Sequence, residues 1–231
     1  MAFFEKTIPV LMYHQINQPD SHSSLIVSPK SFKDQIDWLE KKKFQFLSLD
    51  EVVERKGRIP LFERAVAFTF DDGFRDNREQ ALSLLLERGQ KAALFVVVNW
   101  VGQNGFLDWK EIRELSDAGI AIGSHSLTHR WLPDISDSSE LEREIIDSKR
   151  QIEDRIGKAV PWFCYPVGGV DQKVLACVQK AGYRAAWVAG ARPTYKTNNK
   201  ALSYRRIKVS SSDNSLSHFA IKAYGLKGLV S

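Results

Sequence analysis

The sequence predicts an α/β protein of parallel βαβ units, and three observations carry that expectation. Short apolar runs alternate with amphipathic stretches of about 10 to 18 residues, the pattern of strands joined by crossover helices. About seven or eight such units are present, enough to close a barrel, with an open doubly wound sheet as the competing arrangement. His14, Asp71, Asp72, His125 and the turn Pro166-Val167-Gly168-Gly169 lie just beyond the C-terminal ends of different apolar runs. In a barrel those ends converge on one mouth, where catalytic groups collect, whereas an open sheet of this width would scatter them along an edge.

The elements follow in order. Pro9 to Tyr13 reads as the first strand, residues 17–30 as a polar surface loop, and Ser31 to Lys43 as a helix carrying Phe32, Ile36 and Leu39. Phe44 to Leu49 alternates as a short strand, Asp50-Glu51 opens a helical turn, and residues 56–64 form a connector. Ala65 to Phe70 is a buried strand running into Asp71-Asp72-Gly73. Asn77 to Arg88 is a helix stopped by Gly89, and Ala92 to Val98 a strand. Asp108-x-x-Glu111 resembles a capping box before a helix that ends at Gly119. Ile120 to Ser124 is the strand before His125. Ser139-x-x-Glu142 begins a helix with Leu141, Ile145, Ile152 and Ile156 on one face, and Val160 to Tyr165 is the next strand. Asp171 caps a helix to Gly182, followed by a strand from Tyr183 to Ala189 and a polar loop at 190–203. Tyr204 to Val209 is a last strand, and Ser215 to Tyr224 a last helix. The whole, residues 1–231, reads as a single domain.

The bulk properties exclude several classes. Of the 231 residues 43% are hydrophobic and 26% charged, ordinary values for a chain that buries a full core. The net charge of +5 and the short clusters Lys41-Lys42-Lys43 and Arg205-Arg206 do not make the broad basic stripe of a nucleic-acid binder. The two cysteines, Cys164 and Cys177, make no disulfide framework and read as reduced core residues. No run reaches the roughly 18 apolar residues of a membrane span, and the N-terminus lacks a signal-peptide pattern. The expectation is therefore a cytoplasmic protein as written, or an extracytoplasmic one if a leader has been trimmed. Oligomeric state is left open.

The chemistry concentrates in two clusters. Asp71-Asp72 follows one strand, and Ser124-His125-Ser126-Leu127-Thr128-His129 follows another. A carboxylate and two imidazoles four residues apart make a three-ligand site with room for water, the pattern of a catalytic metal. Asp72, His125 and His129 are the candidate ligands, for Zn²⁺ or another borderline divalent ion such as Co²⁺ or Ni²⁺. Amide or ester hydrolysis also needs a base and an acid. Asp71 fits the base and His14 the acid. His22 lies in a polar loop, and His218 falls opposite the cluster of Leu216, Phe219, Ala220 and Ala223 on the helical wheel, facing solvent.

The segments T-F-D-D-G, S-H-S-L-T-H and F-C-Y-P-V-G-G resemble the first three motifs of the polysaccharide deacetylases, carbohydrate esterase family 4 with its NodB-like domain. The opening P-V-L-M-Y-H-Q-I resembles the branch that includes bacterial poly-β-1,6-N-acetylglucosamine deacetylases. The likeness runs from about residue 8 to 210. It implies a distorted (β/α)₇, TIM-like barrel and metal-dependent release of acetate from N-acetylated sugars. It also implies Asp71 as base and Asp72, His125 and His129 as ligands. Two departures stand out. Where many members carry Arg-x-Pro-Tyr, this chain reads Cys164-Tyr165-Pro166-Val167, so the arginine that usually orients the base must be replaced by another residue. The oxyanion role that the family gives to a backbone N–H falls to Val167, beside Pro166 and Tyr165, and a side-chain change does not remove it. The C-terminal Leu-x-x-x-His motif is absent, which points to His14 as the acid. Trp187 falls near the fourth motif, either lining an acetyl pocket or packed as a strand aromatic. The alternatives are a deacetylase or deformylase of a cytoplasmic or lipid-linked sugar precursor, and a catalytically silent carbohydrate-binding relative.

Overall fold

The computed structural model describes residues 4–18, 23–189 and 199–226. Eight strands carry the architecture: β1 (Val10–Tyr13), β2 (Ala65–Phe70), β3 (Ala93–Val96), β4 (Ala121–Ser124), β5 (Trp162–Cys164), β6 (Ala185–Val188), β7 (Tyr204–Arg205) and β8 (Ile207–Lys208). They hydrogen-bond in the order β7-β6-β5-β4-β3-β2-β1-β8, with parallel registers such as Tyr13↔Phe70 and Cys164↔Trp187. Every residue of β2 is buried, as a parallel strand covered on both faces requires. The strands at the two ends of the order, β7 and β8, are separated in the chain by Arg206 alone. The result is a nearly closed α/β barrel of eight parallel strands, in keeping with the expected distorted (β/α)₇ fold.

The chain groups into two compact units. One comprises Met1–Phe70, Phe74–Ala93 and Ile207–Ser231. Its core is aromatic: Phe68 stacks on Tyr13 at 5.6 Å and on Phe46 at 5.3 Å, and Phe32 meets Tyr13 edge-on at 5.4 Å. Phe32, Ile36 and Leu39 form the buried stripe of helix Pro29–Lys41. That helix starts two residues earlier than periodicity suggests. Ser28 Oγ accepts the Ser31 N–H and Pro29 opens the first turn, where a missing N–H costs nothing. The buried Tyr13 hydroxyl donates to Gln35 Oε1 at 2.8 Å, and Gln35 Nε2 donates to the Asp213 carbonyl at 2.8 Å, so this polar chain is satisfied.

Several boundaries in this unit differ from the expectation. Part of the 17–30 loop, with His22, lies outside the described residues, and Ile26–Val27 is a two-residue strand. The 56–64 connector contains Arg58–Pro60, paired antiparallel with Glu5–Thr7. The helix expected at 77–88 begins at Arg75 and takes a π-helical turn over Arg78–Leu82. In the last helix, Leu216–Ala223, Phe219 and Ala223 are buried, but Leu216 is 38% exposed because it opens the helix before the buried stripe begins. His218 faces solvent, as the wheel predicts.

The other unit comprises Asp71–Gly73 and Leu94–Arg206. The Asp108–Glu111 capping box forms as expected ahead of helix Trp109–Asp117. The helix after the histidines is capped two residues earlier than expected, by Asp137 accepting from the Glu140 N–H. It runs as Ser138–Glu142, a π-helical turn Arg143–Asp147, and Ser148–Ile156, closed by Gly157 in the left-handed region. Gly123 permits a close approach: a Cβ there would sit 2.5 Å from the Phe95 ring, which is wholly buried. Residues 190–198 of the expected polar loop lie outside the described residues, and Lys200–Leu202 is a 3₁₀ turn. The expected strand from Tyr204 to Val209 is broken at Arg206, with consequences below. Among the described residues no helix is long and apolar enough to cross a membrane.

Candidate metal and hydrolytic centre

Strand β2 alternates large Val66, Phe68 and Phe70 with small Ala65, Ala67 and Thr69, and Asp71 continues the small-residue face. The backbone then turns sharply, with Asp72 at φ 73° and Gly73 at φ 84°. Asp72 Oδ1 lies 3.6 Å from His125 Nε2 and 3.5 Å from His129 Nε2. Those separations are long for hydrogen bonds. They match the edge of a tetrahedral ligand set, about 3.4 Å for metal–ligand bonds of about 2.05 Å. Asp72 Oδ1 is buried and has no hydrogen-bond partner among the described residues.

The tautomer of His125 follows from its neighbour. Its Nδ1 lies 2.8 Å from the Cys164 carbonyl oxygen, which can only accept, so Nδ1 carries the proton and Nε2 offers its lone pair. Burial pushes the His125 pKa down to about 3 and lowers that of His129 as well. Burial, reinforced by the Asp71 charge and opposed by Arg206, raises Asp72 to about 7. The imidazoles are thus held neutral, their ligating form, around a carboxylate that is costly to ionise without a cation. The donor set fits a divalent metal, with Asp72, His125 and His129 as its holders.

Asp71, His125 and Cys164 also come within ligand distance of one another, but a cation already occupies that corner. Arg206 Nη1 donates to Asp71 Oδ1 and Nη2 to Asp71 Oδ2, each at 2.6 Å, and Nη2 also reaches Cys164 Sγ at 2.8 Å. The Arg206 side chain has no exposed surface and that of Asp71 only 2%. Burial pushes the Cys164 thiol well above its ordinary range, so it stays protonated. The guanidinium also lies 5.4 Å from the centre of the Phe95 ring.

Sequence reasoning left Arg206 in a basic surface cluster. The signal available was the missing motif-three arginine, together with alternation: Tyr204 and Arg206 share one face of the run while Ile207 and Val209 share the other. Arg205 is exposed and its neighbour fully buried, which composition cannot distinguish. Cys164 stands at the usual arginine position, and its small side chain leaves room for Arg206.

In the Tyr165-Pro166-Val167 turn, Gly168 N–H bonds the Tyr165 carbonyl and Gly169 N–H the Pro166 carbonyl, both at 2.9 Å. Val167, 63% exposed, is held at φ 55°, unusual for a β-branched residue. Pro166 is buried. Tyr165 is buried too, its hydroxyl donating to the Leu202 carbonyl at 3.0 Å. Trp187 has no exposed surface and packs against Phe95, Trp162 and Tyr204. Both rings act from beneath the surface. Trp100 lies 5.1 Å from the His129 ring, a neighbour the sequence did not suggest.

His14 belongs to the first unit. It is half-buried, its carbonyl accepts from Asn77 Nδ2, and it follows Tyr13, the register partner of Phe70. His218 is exposed, with Nδ1 3.1 Å from the Ser212 carbonyl.

The buried ion pair makes a stability prediction. Arg206→Ala should lower unfolding free energy by about 3–5 kcal/mol, because the Asp71 carboxylate is left buried without its partner. Adding Asp71→Asn should recover much of that loss in a denaturant-based double-mutant cycle, and additive losses would contradict the pairing.

Asp72 makes a pH prediction for metal-stripped protein. Its folded pKa of about 7 stands above the ordinary carboxyl value of 3.8, so the native state holds a proton that the unfolded chain releases. That contribution to stability is present at acid pH and is lost as pH rises through the window from about 4 to 7. Asp72→Asn should therefore be about 1–3 kcal/mol more stable than the parent at pH 8 in chelator, with the gain vanishing near pH 4. Thermal melts at the two pH values check the sign.

The chain is similar to known proteins over much of its length. The family profile for polysaccharide deacetylases matches residues 59–186, over half of the chain. YxkH of Bacillus subtilis, assigned provisionally to the polysaccharide deacetylases, is 31% identical over 179 residues, covering 77% of this chain. The chain spans 62% of that relative's length. A poly-β-1,6-N-acetyl-D-glucosamine N-deacetylase of Staphylococcus aureus is 23% identical over 212 residues, covering 80% of this chain and 72% of its own. Among solved structures, a polysaccharide deacetylase from Bacillus cereus superposes with a TM-score of 0.80 at 29% identity, covering 95% of this chain and 70% of that one.

Proposed function

Because the chain belongs to the polysaccharide deacetylase family, we propose that it hydrolyses the acetamide of an N-acetylated sugar or polysaccharide, releasing acetate and a free amine. The observation that carries this reading is the Asp71 carboxylate, held in plane by Arg206 beside the convergent Asp72, His125 and His129. Zn²⁺ or a similar ion, when bound, supplies a Lewis acid that polarises a carbonyl and brings the pKa of a water towards about 7. The bidentate pair uses one lone-pair direction on each Asp71 oxygen and fixes the plane of the carboxylate. Asp71 accepts the proton of the attacking water. The Val167 N–H, on an exposed turn, is the proposed donor to the developing oxyanion, and Pro166 with Tyr165 fixes that turn. His14 is the proposed acid that protonates the leaving nitrogen as the C–N bond breaks. Trp187 contributes from below as a packed wall.

The substrate class rests on the family and on the printed activity of the Staphylococcus aureus relative, so poly-β-1,6-N-acetylglucosamine oligomers are the first substrates to offer. Acetate release from these and from chito-oligosaccharides, with and without Zn²⁺, tests the proposal. Absence of acetate from every N-acetylated substrate despite full metal loading would favour a silent binding protein.

Asp71→Asn should retain metal by elemental analysis and lose turnover by about 10²- to 10⁴-fold, since an amide cannot accept that proton. Metal loss in Asp71→Asn with retention in Asp72→Asn would reverse the two roles.

For the acid, His14→Ala should lower turnover at least about 10²-fold with metal retained, whereas His218→Ala should be nearly silent. The opposite ranking on one substrate would transfer the role to His218.

A further inference from the structure

We infer that Glu144 is the positioning residue of the metal-ligand loop, an inference that rests on reading Asp72, His125 and His129 as the metal centre. Its side chain is buried and reaches the backbone between His125 and His129. Oε2 accepts the N–H groups of Leu127 and Thr128, each at 3.0 Å, and Oε1 accepts the Thr128 hydroxyl at 2.5 Å. These are the residues immediately before His129. On the other side of the loop, the Ser126 and Leu127 carbonyls accept from the Val98 and Asn99 N–H groups at 3.2 and 3.0 Å. The loop between the two ligands is therefore clamped on its donors by one carboxylate and on its acceptors by the 3₁₀ turn Val98–Trp100 that follows β3.

The clamp has strain to restrain. Ser126 and His129 both hold positive φ, 67° and 62°, conformations that residues with a Cβ adopt only under restraint. Without an acceptor, the Leu127 and Thr128 amides would be drawn to other partners and the loop would relax, carrying His129 with it.

The helix is adapted to the task. Glu144 lies in the π-helical turn Arg143–Asp147, where the extra residue shifts the side-chain directions relative to a regular helix. A second tie leaves the same stretch: Ser148 Oγ lies 2.8 Å from Ser124 Oγ, which in turn accepts the Ser126 N–H at 3.2 Å. The π-helical turn and Ser148, the residue that follows it, thus grip the loop on both sides of His125. The turn also gives the Thr128 hydroxyl, one of two between the ligands, a partner.

The test is Zn²⁺ affinity of the full chain by competition with a chromophoric chelator, beside thermal melts in EDTA. Glu144→Ala should weaken Zn²⁺ binding by about 10- to 100-fold, the usual effect of removing an outer-shell partner. Glu144→Gln should stay within about threefold of the parent: its amide oxygen can accept both N–H groups, and the Thr128 hydroxyl can turn to accept from its NH₂. Ile152→Ala, a cavity in the same helix away from the loop, should lower the melting temperature while leaving affinity unchanged. If Glu144→Ala folds poorly, Thr128→Val, which removes one of the three bonds, should give a smaller weakening in the same direction. Parental affinity in Glu144→Ala or Thr128→Val, failure of Gln to rescue, or equal weakening by Ile152→Ala would overturn the positioning role. Absence of Zn²⁺ uptake by the unmodified chain would instead overturn the metal reading beneath it.

Discussion

The guanidinium of Arg206 and the carboxylate of Asp71, joined by two bonds of 2.6 Å where neither side chain meets solvent, form the interaction on which the centre depends. A buried ion pair is not retained for stability alone, since removing two charges from water costs about as much as their attraction returns. Its value is geometric. Two parallel bonds define the plane and the rotation of the carboxylate, which a single contact would leave free. The chain spends the seam of its barrel on this: β7 ends at Arg205, β8 begins at Ile207, and the intervening residue turns its side chain to Asp71. Cys164, a small residue where the Arg-x-Pro-Tyr pattern has arginine, leaves space for the same guanidinium and touches it.

Around that pair the backbone is consistently unusual. Asp72, Ser126, His129 and Val167 are four of the six non-glycine residues described at positive φ, and all four belong to the two motif loops and the turn after β5. The other two, Lys43 and Lys56, follow helix ends, where left-handed residues are expected. Strain that gathers in one place needs local restraint. Here the His129 N–H bonds Ser126 Oγ, the Ser126 N–H bonds Ser124 Oγ, and Gly168 closes the Val167 turn. Serines and threonine in S-H-S-L-T-H thus hold the backbone, while its histidines face the ligand position.

Electrostatics and restraint work together. Burial keeps both imidazoles neutral and makes the Asp72 charge expensive, so the three donors are arranged for a cation and poorly satisfied by one another. The Cys164 carbonyl sets the His125 tautomer, so the Cys164-Tyr165-Pro166-Val167 segment holds the His125 ring as well as the Arg206 guanidinium.

Periodicity and motif spacing made the alternation of strands and helices, the buried β2, the candidate trio Asp72, His125 and His129 and the adjacent Asp71 legible in one dimension, because each is a short-range pattern: two-residue alternation, caps within a turn, a His pair four residues apart. They also exposed a vacancy, the absent motif-three arginine. Sequence could not say what filled it, because Asp71 and Arg206 are 135 residues apart and only strand order brings them together. For the same reason an exposed Arg205 and a buried Arg206 look alike in the chain. The true helix starts at Pro29 and Ser138 went unread because caps compete locally, and the π-helical turn at Glu144 has no periodic signature. Which residues carry donors was decided by the sequence alone; which of them meet, and in what plane, was decided by the closing of the sheet.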